Sequence, residues 1–600
     1  MQDLGHRVWH GDVAQITLDG PFLGAFDPVA RAWFLQMLQG EPVPRAMVLV
    51  IRAVPQRAAI LAADDPTSPR LADVIGALTE AGFPVVSVLP GAVSGPLAEL
   101  ALAGDMILAG TGASLVLPDI VLGQVPGGGA TQTLPRRVGA KVALEILLSG
   151  RPVAAGEALR LGMIDQVVTG DPVSAALTLA AAMAQKPRPE RPSPGLDAKV
   201  YGAEVSAARG NLLVNGLPGA ERMVDAVEAA LILPLAQGLA LETTLRADLA
   251  ASDDVRGLRA TAEAIGIARR MPKALAGIVP GPVTHLYVEG MSPATTAMAY
   301  QALAAGMQVT LAEADREVLS GVLKVLAERQ DAEVTAGRLP VGARDADWTR
   351  LATVAPAALV PEDVDALLFG PGQIARATEL GAKMPPEVPR LVLGGGPGML
   401  GLTLAPSGRV ATLSGIAAGP AAATARAFLA RIGLPAIAVG GDGASPGAAL
   451  ATAGRTALER LMGRGLREDG IRVAMTAIQA TTPALSGDAF DPRANQGRPL
   501  TLSRGEIIAR WWGAMAAAGL DCLAAGTALC PADLDHLMVA GYGFPRRLGG
   551  PMHQADWRGL LLLRQDLRLW SRDDRIWAPP PLLDKLISEG RTIPSLNPGS

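Results

Sequence analysis

The chain is poor in the side chains that most often carry metal, disulfide or nucleic-acid chemistry. Its 600 residues include 2 cysteines, 5 histidines and only 3% aromatic residues. Cys522 and Cys530 fit buried apolar positions better than a disulfide or a metal site. Aromatics this sparse argue against a surface on which nucleic-acid bases stack. We therefore predict no metal site.

Charge and hydropathy exclude two further classes. The formal net charge is −4, and there is no long block of Lys or Arg to follow a phosphate backbone, so we expect no nucleic-acid partner. No uninterrupted apolar run reaches the roughly 18 residues of a membrane-spanning helix. The amino terminus lacks an apolar signal-peptide core. We expect no transmembrane segment and a cytoplasmic location.

What is present is a modular α/β pattern. At roughly 150 residues per domain, the length predicts about four domains. Strand-like runs such as Val13–Leu18 and Ala46–Ile51 alternate with helical stretches, which is typical of layered α/β folds. The proline-rich "QKPRPERPSPG" then indicates a linker. A second βαβ pattern begins at "VTHLYV", and helices dominate beyond about residue 450.

Two motifs carry a resemblance to known families. The segment "ELALAGD", followed by "LPDIVLGQVPGGGATQTLPRRVG", resembles the crotonase (enoyl-CoA hydratase/isomerase) family. Near the carboxyl terminus, "GYGFPRRLGGPM" resembles the C-terminal domain of 3-hydroxyacyl-CoA dehydrogenases. With "GLALETTLRADLAASDDVRGL" between them, the two are similar to the bifunctional hydratase/dehydrogenases of fatty-acid β-oxidation.

The resemblance implies an α/β multidomain protein. Residues 1–190 are expected to form a crotonase-like domain with the spiral ββα fold, and 191–280 a proline-rich linker with connecting helices. Residues 281–440 are expected to form a Rossmann-like domain, and 441–600 an all-α dehydrogenase-type domain. The implied ligand is an acyl-CoA thioester. A thiolase-type or other protein is the implied partner.

Hydration of a 2-enoyl thioester needs carboxyl groups that handle protons and N–H donors that face the thioester oxygen. The resemblance places the first carboxyl on Glu99 and the second on Asp119, where the family has Glu. The shorter Asp costs about 10²-fold if alignment matters. A structural role stays open for both, since an acidic residue also suits the first turn of a helix and Asp119 also suits an N-cap after Pro118.

The oxyanion hole departs from the family pattern. One donor falls on Pro96, which has no N–H. The other falls on Ala63 or its neighbour Asp64. Loss of one donor costs about 10² to 10³ in rate, so we expect a slow hydratase or isomerase rather than a fast one.

The redox half departs further. Oxidation of a 3-hydroxyacyl thioester needs a nicotinamide and a base. The resemblance places the base on Thr403 and its partner near Ser414, and neither accepts a proton at neutral pH. The candidate cofactor residues are Gly290, the first glycine of a degenerate fingerprint, and Glu313, in the ribose position.

A formal G-x-G-x-x-G also occurs in "LVLGGGPGMLG". It falls where the family has a later strand, and no acidic residue follows it before Asp442, so the ribose partner is missing. We interpret it as a strand-to-loop connection. No cofactor is certain, and we expect NAD-dependent oxidation to be weak or absent.

Three functional hypotheses stay open. In the first, the protein is an acyl-CoA hydratase or isomerase whose dehydrogenase half is inactive. In the second, it is a non-catalytic paralogue that binds an acyl-CoA or acts as a scaffold. In the third, it is a diverged acyl-CoA lyase or isomerase with a reshaped oxyanion hole.

Overall fold

Two large sheets, one in each of two units, organise the chain in a computed structural model of the protein. The units are Met1–Ala262 and Glu263–Ser600. The structure describes residues 7–19, 26–52, 68–188, 197–215, 219–336, 339–356, 360–396, 399–441, 445–480 and 500–598. Ala63 and Asp64, predicted to supply an oxyanion N–H, lie outside these residues.

The amino-terminal unit is built on a six-stranded sheet of order β1-β2-β3-β4-β6-β9, with a three-stranded sheet β5-β7-β8 beside it in the same unit. Strands β1 and β2 are antiparallel, and the other neighbours in the large sheet are parallel. The strands are β1 (Arg7–His10), β2 (Val13–Leu18), β3 (Ala46–Ile51), β4 (Val85–Leu89), β5 (Val93–Ser94), β6 (Met106–Gly110), β7 (Ser114–Val116), β8 (Val153–Ala154) and β9 (Gln166–Val168).

Both faces of this large sheet are covered, which is why its central strand β3 is apolar at every position. In β3, Met47, Leu49 and Ile51 enter the main core, whereas Val48 and Val50 face a smaller core on the other side. The helices of the unit are α1 (Pro28–Gln39), α2 (Leu71–Glu80), α3 (Pro96–Leu102), α4 (Ala130–Ser149), α5 (Ala155–Arg160), α6 (Pro172–Met183), α7 (Ala198–Asn215), α8 (Ala220–Ile232), α9 (Leu235–Ala250) and α10 (Asp253–Ala268), which crosses the unit boundary.

Helices α7 to α9 lie within the stretch that the sequence assigns to a linker. They belong to the amino-terminal unit, because Met223, Val224 and Val227 of α8 are buried in the same core as the large sheet. The hydroxyl of Tyr201 on α7 donates a hydrogen bond to the carbonyl of Val227. The rest of the four-part division stays a prediction.

The carboxyl-terminal unit is built on an eight-stranded sheet of order β12-β11-β10-β13-β14-β15-β16-β17. The strands are β10 (His285–Glu289), β11 (Gln308–Ala312), β12 (Leu351–Val354), β13 (Ala366–Phe369), β14 (Arg390–Leu393), β15 (Leu400–Leu404), β16 (Ala411–Leu413) and β17 (Ala436–Ala438). All neighbours are parallel except β15 and β16. Taken along the chain, the first six strands have the order 3-2-1-4-5-6, which is that of doubly wound sheets.

Helices surround this sheet and form a separate core after it. They are α11 (Pro293–Ala304), α12 (Arg316–Thr335), α13 (Val341–Thr349), α14 (Ile374–Gly381), α15 (Pro420–Arg431), α16 (Pro446–Gly463), α17 (Glu468–Ala477), α18 (Arg504–Ala524), α19 (Pro531–Gly541), α20 (Pro551–Arg558), α21 (Leu560–Trp570) and α22 (Pro581–Ser588). Trp511 and Trp512 of α18 are buried. Across the described residues, none of the helices is long and apolar enough to cross a membrane.

The "GYGFPRRLGGPM" motif has a structural role. The buried carboxylate of Asp535 accepts hydrogen bonds from the backbone N–H groups of Met552 (2.7 Å) and His553 (3.0 Å), in the first turn of α20. A Cβ atom on Gly550 would lie 2.2 Å from an oxygen of Asp535, so glycine is required there. The motif therefore caps a helix.

Candidate active site

Glu99 lies in α3, a short helix in which every residue is buried. Its carboxyl is held by the turn that leads into α4. The N–H groups of Gly128 and Ala130 donate to Oε2 over 2.8 and 3.1 Å, and that of Gly127 approaches Oε1 at 3.3 Å. The carboxyl therefore has one firmly bound oxygen and one that is weakly bound.

The glycines of this turn make the close approach possible. A Cβ on Gly128 would lie 2.6 Å from the side chain of Leu71, and one on Gly129 would lie 2.2 Å from that of Leu239. Gly129 also has a φ of 101°, a conformation that side chains strongly disfavour. The run of three glycines thus lets the backbone N–H groups reach the carboxyl.

The surroundings of Glu99 favour its neutral form. Burial raises the pKa of Glu99 well above its usual range, and the negative charges of Glu242 and Asp119 act in the same direction. The charge of Arg246 and the N–H of Ala130 oppose them. Burial is the largest effect because few groups replace the water that an ionised carboxyl would bind.

Asp119 begins the 3₁₀ turn Asp119–Leu122 and is also buried. Its Oδ1 forms an ion pair of 2.8 Å with the guanidinium of Arg246 on α9. Arg246 also donates to the carbonyl of Val125. Oδ2 of Asp119 is buried and has no hydrogen-bond partner among the described residues. Asp119 is thus anchored through one oxygen only.

The sequence analysis missed two residues of this cluster, Glu242 and Arg246, which both lie on α9. Glu242 is 1% exposed and accepts hydrogen bonds from the N–H of Gly129 (2.5 Å) and from the N–H (2.9 Å) and hydroxyl of Thr131. Burial raises the pKa of Glu242 to about 7 against these donors. The sequence pattern that could have indicated them is a Glu and an Arg four residues apart, a spacing that places both side chains on the same side of a helix.

Pro96 occupies the first turn of α3, one helical turn before Glu99. It is buried and contributes no N–H. Pro96, where the predicted oxyanion hole lacks an N–H donor, therefore lies on the same short helix as Glu99, the predicted proton carrier. Of the amino-terminal candidates, Glu99 and Asp119 meet in one charged cluster, and Pro96 lies on the helix that carries Glu99.

In the carboxyl-terminal unit, Gly290 follows β10 and precedes α11. The hydroxyl of Ser292 accepts from the N–H of Thr295, and the hydroxyl of Thr295 accepts from the N–H of Ser292. Pro293 follows at the first position of the helix and has no N–H. Side chains of the first turn of α11 therefore accept hydrogen bonds from backbone N–H groups that have no carbonyl acceptor within the helix.

Glu313 follows β11, whose last residue pairs with the last residue of β10, so Glu313 and Gly290 lie at the same edge of the sheet. An oxygen of Glu313 accepts from the N–H of Asp315. Thr403 lies in β15, and Ser414, just after β16, contacts the carbonyl of Gly401 at 3.4 Å. Directly opposed residues share a face of an antiparallel pair, so Thr403 and Ser414 face the same side.

The glycine-rich stretch after β14 leads into another strand, β15, and not into a helix. This agrees with its interpretation as a strand-to-loop connection, because a dinucleotide fingerprint opens a helix. Residues 397–398 of the stretch lie outside the described residues. Within the part of the chain that is described, no group of three or more His, Cys, Asp or Glu side chains is arranged to hold a metal ion.

Comparison with known proteins gives a family match within the amino-terminal unit. Residues 51–190 match the family model for enoyl-CoA hydratase/isomerase. The chain is 35% identical over 199 residues to the peroxisomal bifunctional enzyme of Danio rerio, covering 32% of this chain and 27% of that protein. It is 34% identical over 184 residues to that of Homo sapiens, covering 29% and 25%. Each match thus spans about a quarter of the relative's own length.

Solved structures give weaker likenesses. The enoyl-CoA hydratase/isomerase from Pseudoalteromonas atlantica T6c is 20% identical, covers 45% of this chain and 98% of that one, and has a TM-score of 0.33. The enoyl-CoA hydratase from Bacillus halodurans is 21% identical, covers 42% and 100%, and has a TM-score of 0.28. Residues 51–190 are therefore similar to the enoyl-CoA hydratase/isomerase family.

Proposed function

We propose that the amino-terminal unit acts on acyl-CoA thioesters as an enoyl-CoA hydratase or isomerase. Glu99 gives and takes the proton, and Asp119 is its partner. The observation that carries the proposal is the buried Glu99 carboxyl, held by backbone N–H groups beside Asp119 in a domain of this family. A buried carboxyl whose surroundings favour its neutral form is suited to act as a general acid.

In hydration, the oxygen of water bonds to the β-carbon of the 2-enoyl thioester, and the double bond is lost. One carboxyl takes a proton from the water, and the other gives a proton to the α-carbon. Asp119 is suited to the first step because Oδ2 is free while Arg246 holds Oδ1. Glu99 is suited to the second because it is held in its neutral form.

The rate of this reaction also depends on donors to the thioester oxygen. By resemblance, Ala63 or Asp64 supplies one N–H, and Pro96 stands where the second belongs. Losing one donor costs about 10² to 10³ in rate. We therefore infer a slow enzyme, or one whose pocket Pro96 reshapes for a different lyase or isomerase reaction on an acyl-CoA.

For the carboxyl-terminal unit we infer no redox role. A pyrophosphate needs free N–H groups at the start of the helix after the first strand, and Ser292 and Thr295 already bond two of them. Thr403 and Ser414 offer hydroxyls in place of a base. The residues around Gly290 therefore do not fit a dinucleotide, and Glu313 alone does not make up for the missing N–H groups.

A second candidate function is a non-catalytic acyl-CoA-binding or scaffold protein. The ion pair between Asp119 and Arg246 favours it, because a buried carboxylate bound to a guanidinium can serve as a purely structural contact. Pro96 favours it as well. In this candidate function, the protein still binds an acyl-CoA thioester but does not convert it.

The test is turnover of 2-enoyl-CoA and 3-enoyl-CoA thioesters by the full chain and by a Glu99→Gln variant. Because this change removes the proton carrier, we expect the rate to fall by about 10² to 10⁴. The matched control is Glu221→Gln, which changes an exposed glutamate in the same unit and leaves the rate unchanged. Absence of turnover by the full chain, together with CoA-ester binding measured by calorimetry, would establish the non-catalytic candidate instead.

A further inference from the structure

Successive backbone N–H groups of one turn donate in turn to two different carboxyls. The N–H groups of Gly128 and Ala130 donate to Glu99, whereas those of Gly129 and Thr131 donate to Glu242. The two side chains come from α3 and α9, 143 positions apart in the sequence (242 − 99). The turn lies at the start of α4, where the helix dipole favours negative charge. It thus joins two carboxyls that the chain brings together only on folding.

The cluster holds more acid than base. Among the described residues, its ionisable members are Glu99, Asp119, Glu242 and Arg246, exposed by 2%, 4%, 1% and 7% respectively. Three ionised carboxylates and one guanidinium would leave two uncompensated negative charges in a buried site. Such an arrangement is costly, so carboxyls of this kind bind protons instead.

The hydrogen-bond donors around each of the three carboxyls determine which carboxyl stays protonated. Asp119 is bound to Arg246, and Glu242 accepts three hydrogen bonds, one of them from the hydroxyl of Thr131. Hydrogen bonds to the charged form stabilise it. Glu99 has two firm N–H contacts and no ion pair with Arg246, and the negative charge of Glu242 acts on it.

We propose that Glu242 is a positioning residue that keeps a proton on Glu99 through the shared turn 127–131. The inference rests on the proposed role of Glu99 as proton carrier and adds the residue that sets its protonation. The charged groups that face Glu99 are Asp119 on the 3₁₀ turn, and Glu242 and Arg246 on α9.

The experiment is an infrared titration of the full chain, which follows the carbonyl stretch of protonated carboxyls with pH. A Glu99→Gln variant assigns the Glu99 signal by its loss. Glu242→Gln removes the neighbouring negative charge, so we expect the midpoint of Glu99 to move down by about one pH unit. Asp248→Asn, on the exposed side of the same helix, is the matched control and leaves the midpoint in place.

Thr131→Val gives a second reading if Glu242→Gln does not fold. It removes the hydroxyl donor of Glu242 without changing charge, so Glu242 holds its own proton more readily and the Glu99 midpoint falls by a smaller amount. An unchanged midpoint in a folded Glu242→Gln or Thr131→Val variant overturns the proposal. Because the titration needs no substrate, a shifted midpoint in a protein without turnover contradicts the proposed function while supporting this inference.

Discussion

The starts of α4 and α11 show how two similar pieces of backbone come to differ in chemistry. Each follows a glycine-containing turn, and each offers N–H groups that no helical carbonyl accepts. At α4, these groups bind Glu99 and Glu242, which lie far away in the sequence. At α11, side chains of the same turn, Ser292 and Thr295, bind them.

The difference shows that distant carboxyls, neighbouring hydroxyls and anionic ligands compete for the same few N–H groups at the start of a helix. Where distant carboxyls use them, as at α4, the turn orders a buried cluster of ionisable groups. Where neighbouring hydroxyls use them, as at α11, the helix is well capped, and the donors that an anionic ligand would need are occupied. A doubly wound strand order does not by itself provide a phosphate site.

The largest expected effect tests whether the α4 cluster depends on its ion pair. Asp119→Ala removes one partner of the buried ion pair with Arg246, so we expect the free energy of unfolding of the amino-terminal unit to fall by about 3 to 5 kcal/mol. Urea denaturation followed by circular dichroism measures it. An Asp119→Ala variant as stable as the original chain would show that the cluster does not depend on this ion pair.

The next effect tests the missing donor. Pro96→Ala adds a backbone N–H one turn before Glu99, so we expect turnover of a 2-enoyl-CoA thioester to rise by about 10²- to 10³-fold. The steady-state rate measures it. Pro172→Ala, at the first position of α6, is the control and should change nothing. A rate that stays the same would mean that Pro96 does not stand at the thioester oxygen.

The smallest effect tests the self-capped helix. Ser292→Ala removes the hydroxyl that accepts from Thr295, so we expect the carboxyl-terminal unit to lose about 1 kcal/mol of stability. Thermal unfolding compared with Ser320→Ala, on α12 of the same unit, provides the measurement. A Ser292→Ala variant as stable as the original chain would contradict the inference that Ser292 caps this helix.

Much of the fold could be predicted from the sequence because its signals are local. The strand-like runs Val13–Leu18 and Ala46–Ile51 predict both strands as the structure has them. The helices at 198–250 are predicted only as connecting helices, because their composition does not reveal which core they enter.

The candidate site was predicted only in part for a similar reason. Glu99 and Asp119 lie in family motifs. Glu242 is 113 positions from its hydrogen-bond partner in the turn, and Arg246 is 127 positions from Asp119. Their spacing on α9 predicts a shared face but not what that face contacts. Tertiary contacts of this length leave no local pattern, so only the structure brings the four charges together.

The central claim is that the amino-terminal unit handles protons on an acyl-CoA while the carboxyl-terminal unit performs no hydride transfer. One sample of the full chain tests both, with 2-enoyl-CoA hydration and NADH formation from 3-hydroxyacyl-CoA followed side by side. The account predicts slow hydration that Glu99→Gln abolishes, and no rise in NADH absorbance. A robust rise in NADH, or hydration that persists in Glu99→Gln, would contradict it.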